Sequence, residues 1–122
     1  MKNLKINFFK KNYSIFIGNN TLNLLPKKIK LTCPKTKNIA IIIDKKIPKK
    51  IKVKLKNKLK FFNLLFLPLE AREKNKSIKT VNNFLEILFS KNFNRSDLII
   101  GVGGGITGDI AGFVASIYKR GT

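Results

Sequence analysis

Apolar residues in this chain recur with two different periods, and the change of period marks out alternating strands and helices. Tyr13-Ser14-Ile15-Phe16-Ile17, followed by Gly18-Asn19-Asn20, reads as a strand and turn. Paired with Ile6 to Phe9 across Lys10-Lys11-Asn12, it predicts an N-terminal hairpin. Thr21 is a candidate cap for a short helix carrying Leu22, Leu25 and Ile29, ended before Pro34. Asn38 to Asp44 contains an unbroken β-branched and small run, the pattern of a parallel strand covered on both faces. From Pro48 to Lys60 apolar residues alternate with lysines, and lying between two strands the segment is read as a helix. Phe61 to Leu67 is the next strand, closed by Pro68. Ser77 caps a helix whose apolar residues Ile78, Val81, Leu85, Leu88 and Phe89 keep helical spacing to about Asn92. Asp97 to Val102 is a short strand, and Ile106 to Tyr118 a helix with Gly108, Ala111, Gly112 and Ala115 on one side. Ile110, Phe113, Val114 and Ile117 cover its other sides, so this helix is expected to be mostly buried. The order implies an α/β fold: a Rossmann-like parallel sheet with helices on both faces and an N-terminal β-hairpin, in one domain over 1–122.

Composition changes that picture little and charge changes it more. With 43% hydrophobic residues a buried core is available, and no apolar run is long enough to span a bilayer. No signal-peptide core follows the basic start, so the expected location is cytoplasmic, with no membrane partner. Cys33 is the only cysteine and there is no histidine, which excludes a disulfide framework and a structural zinc site. The 26 basic residues against 6 acidic ones give +20, a balance that ordinarily points to nucleic acid. Yet 23 of those 26 are Lys, and Asn (14) and Ile (17) are inflated too. All three can be encoded by A and T alone, so drift in an AT-rich genome competes with selection for binding. The lysines read as scattered over every segment and Arg, the residue of base-edge readout, is scarce, so no specific nucleic-acid partner is expected.

Gly103-Gly104-Gly105-Ile106-Thr107-Gly108 has G-x-G-x-x-G spacing and stands between a strand and a helix, as a pyrophosphate loop must. Glycines let the backbone approach the diphosphate, whose charge meets free N–H groups at the helix start. A tight turn without a ligand is the plainer alternative. The acidic residue that usually holds the ribose about 20 positions later has no counterpart, so Asp44 at the same sheet edge is the substitute, or else an ordinary strand-end turn residue. Asp109, in the first turn by this reading, either complements the helix dipole or contacts a ribose or nicotinamide-side group. Arg120 has the fork that suits a phosphate ester.

The stretch Gly103 to Gly121 resembles the signature of the 3-dehydroquinate synthase family, GGGxxGDxxGFxAxxYxRG, and Glu73 to Val81 resembles that family's GExxKSxxTV segment. The resemblance implies an enzyme converting 3-deoxy-D-arabino-heptulosonate 7-phosphate to 3-dehydroquinate and phosphate in the shikimate pathway, with NAD and a divalent metal, zinc or cobalt. Carried over, Gly104, Gly105, Ile106, Thr107, Gly108 and Asp109 bind NAD, as do Glu73 and Lys76, and Arg120 meets the substrate phosphate. Arg72 stands where the family has glycine. The match implies the incomplete NAD-binding N-terminal part of a longer chain, truncated before the helical metal and substrate domain. It is therefore expected to lack synthase activity alone and to form a homodimer when full length. The alternatives are a sibling sugar-phosphate cyclase, a metal-dependent polyol dehydrogenase or, in another class, a basic nucleic-acid-binding module.

Overall fold

The computed structural model describes the backbone of residues 2–8, 11–17 and 21–118 and the side chains of 22–118. The expected hairpin is present: β1 (Lys2–Phe8) and β2 (Lys11–Ile17) pair antiparallel with Ile6 opposite Tyr13. They form a two-stranded sheet apart from the main one. The main sheet holds β3 (Asn38–Asp44), β4 (Asn63–Leu69) and β5 (Leu98–Val102), all parallel, in the order β4-β3-β5. Among the described residues four α-helices cover it, α1 (Leu25–Thr32), α2 (Lys49–Lys58), α3 (Ile78–Ser90) and α4 (Gly105–Ile117).

Strand β3 is central, so both its faces are buried and alternate residues enter different cores. Ile39, Ile41 and Ile43 pack with Ile29 of α1 and with Leu55 and Leu59 in and just after α2. Ala40 and Ile42 face the opposite layer, which holds Val81, Phe84 and Leu88 of α3 and Ile110, Ala111 and Val114 of α4. The isoleucine run thus works as two half-sets, one for each helical layer.

Two element boundaries and the burial of one helix depart from expectation. Thr21 does not cap α1. It opens a 3-10 turn over Thr21–Leu24, and the α-helix starts at Leu25 with Pro26 in its first turn, where proline's fixed φ and missing N–H are suited. Strand β4 begins at Asn63 rather than Phe61 and runs through Pro68. Proline is tolerated there because β4 is an edge strand among the described residues and needs no ladder donor on its outer side. Helix α4 is not mostly buried: Phe113 is 51% and Ile117 45% exposed, while Thr107, Ile110, Ala111 and Val114 carry its contact with the core. Close packing of its small residues is confined to one point, where a Cβ on Gly101 of β5 would stand 2.9 Å from the Ala111 Cβ.

Helix α3 ends in a Schellman turn. Asn92 takes a left-handed conformation (φ 59), Phe93 N–H donates to the Leu88 carbonyl at 3.2 Å and Asn92 N–H to that of Phe89 at 3.1 Å. Tyr118, just past α4, is buried against this turn and its hydroxyl lies 2.7 Å from the Phe93 carbonyl and 3.2 Å from that of Leu88. Burial, with the nearby Asp97 charge, raises the Tyr118 pKa. Tyr118→Phe strips a donor from two buried carbonyls and is expected to cost about 1–2 kcal/mol, read as a lower urea midpoint at unchanged slope; an unchanged midpoint would leave the hydroxyl without a structural role.

Candidate functional site

The chain winds from β3 outward to β4 and then crosses to β5 on the other side of β3, so the sheet order reverses between β3 and β5. Loops leaving these two strands part to opposite faces, towards α2 and α4, and the crevice at their carboxyl ends is where open α/β sheets take ligands. Asp44 ends β3 and Gly103 follows β5, and a Cβ built on Gly103 would lie 3.1 Å from the Asp44 Cβ. The fold therefore brings the substitute acid and the glycine loop together. Asp44 also serves as a turn residue, accepting the Lys46 N–H at 3.0 Å.

Within the loop the glycines have different duties. Gly103 has φ +154, and a Cβ there would come within 2.6 Å of Thr107 Oγ1 and 2.9 Å of its Cβ. Gly104, Gly105 and Gly108 face open space. The fold itself thus requires glycine at Gly103, while the other three leave bare backbone turned outward. Gly103 is the residue the sequence reading left out of its site; the first position of G-x-G-x-x-G, where the tight turn falls, was the signal.

Helix α4 starts one residue earlier than expected, at Gly105, with Gly104 as N-cap and no side-chain cap, and its first ladder bond runs from Gly108 N–H to the Gly104 carbonyl at 3.0 Å. The N–H groups of Gly105, Ile106 and Thr107 consequently have no partner inside the helix. Thr107 is fully buried beneath the loop and its hydroxyl is without a hydrogen-bond partner among the described residues. A buried unsatisfied hydroxyl beside three free N–H groups makes a cradle for an anion, and the residues fit a diphosphate.

Because α4 starts at Gly105, Asp109 falls one position outside the first turn, so the dipole does less for it than expected. Its partner is Lys76, whose Nζ lies 2.9 Å from Asp109 Oδ2, both side chains about half-exposed. The hydrogen bond to Asp109, followed by the charges of Asp109 and Glu73, raises the Lys76 pKa, so the ammonium stays charged at neutral pH. Lys76 is delivered by a 3-10 turn over Glu73–Asn75 and sits directly before Ser77, which caps α3 by accepting the Thr80 N–H at 3.4 Å. Between α3 and α4 this leaves a cavity of about 260 Å³ lined by Lys76, Ser77, Ile78, Val81, Asp109, Ile110 and Phe113. Arg72, in place of the family glycine, is extended at φ −123 and ψ 153, which any residue adopts, and its Nε pairs with Glu70 at 2.7 Å. The substitution therefore leaves the turn carrying Glu73 intact. Arg120 lies outside the described residues.

Among the described residues no three His, Cys, Asp or Glu side chains stand together as a metal site. No described helix is long and apolar enough to cross a membrane.

Comparison with known proteins finds the same fold. Residues 66–122 match the family model described as 3-dehydroquinate synthase N-terminal. The chain is 42% identical over 118 residues to the 3-dehydroquinate synthase of Pelagibacter ubique, covering 97% of this chain and 32% of that one. It is 46% identical over 92 residues to that of Saccharolobus solfataricus, covering 75% and 25%. Among solved structures it superposes on 2-deoxy-scyllo-inosose synthase with TM-score 0.87 at 26% identity, covering 98% of this chain and 34% of that one. A second structure of that enzyme, complexed with carbaglucose-6-phosphate, NAD+ and Co2+, gives TM-score 0.86. The chain spans about a third of the length of the curated relatives it matches.

Proposed function

The chain belongs to the 3-dehydroquinate synthase family, and from that premise we propose that residues 1–122 are the NAD-binding part of an enzyme converting 3-deoxy-D-arabino-heptulosonate 7-phosphate to 3-dehydroquinate and phosphate. The observation that carries the reading is the uncapped start of α4 under open glycines, with the orphaned Thr107 hydroxyl beneath it.

NAD bound there supplies a hydride acceptor for a substrate hydroxyl. The chain's own residues do the holding: the first-turn N–H groups of α4 take the diphosphate, and the bare faces of Gly104 and Gly105 let it come close. Lys76 neutralises Asp109, so a carboxylate one turn from the diphosphate does not repel it. Asp44 at the end of β3 is within the crevice to accept a ribose hydroxyl, and Arg120 is assigned to the substrate phosphate. Identity of 42% to a named 3-dehydroquinate synthase against 26% to 2-deoxy-scyllo-inosose synthase favours this reaction over that of a sibling cyclase.

Calorimetric titration of NAD into the chain tests the site. Gly105→Val fills open space at the helix start, so the fold is expected to survive while NAD affinity drops at least about tenfold, or 1.4 kcal/mol. Equal affinities for the two proteins would mean that the loop is only a turn.

A further inference from the structure

Lysines occur in every segment, but their balance against acidic residues differs sharply between two stretches of chain that the fold sends to opposite sides of the sheet. Residues 22–69, which supply the α1–α2 layer, hold 14 lysines and a single acid, Asp44. Residues 70–118, which supply the α3–α4 layer, hold 6 basic and 5 acidic residues. A bias in base composition acts on all surface codons alike and does not choose one side of a sheet. Ten of the 14 lysines ride on α1, α2 and the turn after α2.

An aromatic ring stands on this face. Phe61, between α2 and β4, is 80% exposed, with Lys30 Nζ 5.8 Å and Lys60 Nζ 5.4 Å from its ring centre. Lys52 and Lys56 lie 4.9 and 5.5 Å from the ring of Phe66 beside them. Flexible ammonium groups around an open aromatic face are the parts of a single-strand platform, in which lysines follow the phosphates and the ring takes a base by stacking. Phe61 precedes β4, at the amino edge of the sheet, a strand's length of roughly 20 Å from the glycine loop. The face is therefore separate from the dinucleotide crevice.

We infer that the α1–α2 face binds single-stranded nucleic acid without sequence preference, through its lysines and a base stacked on Phe61. An anionic membrane fits less well, because the exposed apolar residues of this face, Leu31, Val53 and Phe61, stand singly on α1, α2 and the turn after it while Leu55 and Ile51 pack against the sheet, so neither helix presents a continuous apolar stripe to a bilayer.

Fluorescence anisotropy with a labelled thymidylate oligonucleotide tests this. Wild type is expected to bind at low salt and to weaken steeply as salt rises. Phe61→Ala, at a position exposed enough to spare the fold, should bind at least about fivefold more weakly with the same salt slope. Replacing Lys52, Lys56 and Lys60 with glutamine should shrink that slope by roughly 2. An abasic strand should bind wild type no better than the thymidylate strand binds Phe61→Ala. No binding at low salt, equal affinities for wild type and Phe61→Ala, or capture by phosphatidylserine vesicles but not by the oligonucleotide would each overturn the inference.

Discussion

Asp97→Ala is expected to destabilise the fold by about 3–5 kcal/mol, a large share of a small domain's stability. The carboxylate is 3% exposed and accepts four hydrogen bonds: from the N–H groups of Lys37 (3.2 Å), Asn38 (2.9 Å) and Asn94 (3.0 Å), and from Asn38 Nδ2 (3.0 Å). Beside it Thr36 donates to the Ser96 carbonyl at 2.7 Å. This cluster ties the entry to β3 to the entry to β5, so alanine would orphan four donors where two strands start. Asp97→Asn should cost less, because its amide oxygen still accepts some of them. Thermal and urea unfolding measure the loss; a shift under about 1 kcal/mol for alanine would mean that water replaces the carboxylate freely.

The same residue sets an acid limb. Burial pushes the Asp97 carboxyl up, but the hydrogen bonds from the Asn38 side chain and the three backbone N–H groups outweigh burial and hold it below the ordinary value. A folded-state pKa below the unfolded one means stabilisation present in full above the unfolded value, about 3.9, and lost as pH falls through the folded one. Wild type should therefore lose stability below about pH 4 more steeply than Asp97→Asn.

Gly103→Ala is the second large effect, expected at about 2–4 kcal/mol from strained backbone and overlap together. A Cβ at φ +154 is strained wherever it points, and this one points into Thr107 at 2.6 Å. The double variant Gly103→Ala, Thr107→Ala removes the overlapping oxygen and should recover part of the loss, leaving the strain. Strictly additive losses would show that the overlap is not the cause. Gly105→Val, two residues away, should leave unfolding unchanged. The pair separates a glycine needed by the chain's own turn from one needed by a ligand's approach.

The glycine loop, the helix cap at Ser77 and the β3 core were legible because each depends on neighbours in sequence: a turn, a cap and a strand are local objects. The Lys76–Asp109 pair was not, since 33 positions separate its members and only the packing of α3 beside α4 joins them. Asp97 read as the first residue of a strand because its donors at Lys37 and Asn38 lie some 60 positions away. The exposure of Phe113 and Ile117 was missed for a related reason: periodicity tells which residues share a side of a helix, not whether anything covers that side.

By itself the sequence determined the alternation of strands and helices, the glycine loop at a helix start and the family, because these are written in local spacing and in a long contiguous motif. Tertiary structure alone decided the rest. The reversal of strand order sets Asp44 against Gly103, and the crossing of the chain over β3 sends the lysine-rich half to one side of the sheet and the mixed-charge half to the other. Both follow from long-range packing: a parallel sheet buries two faces, and which segment covers which face is fixed only when the strands take their order.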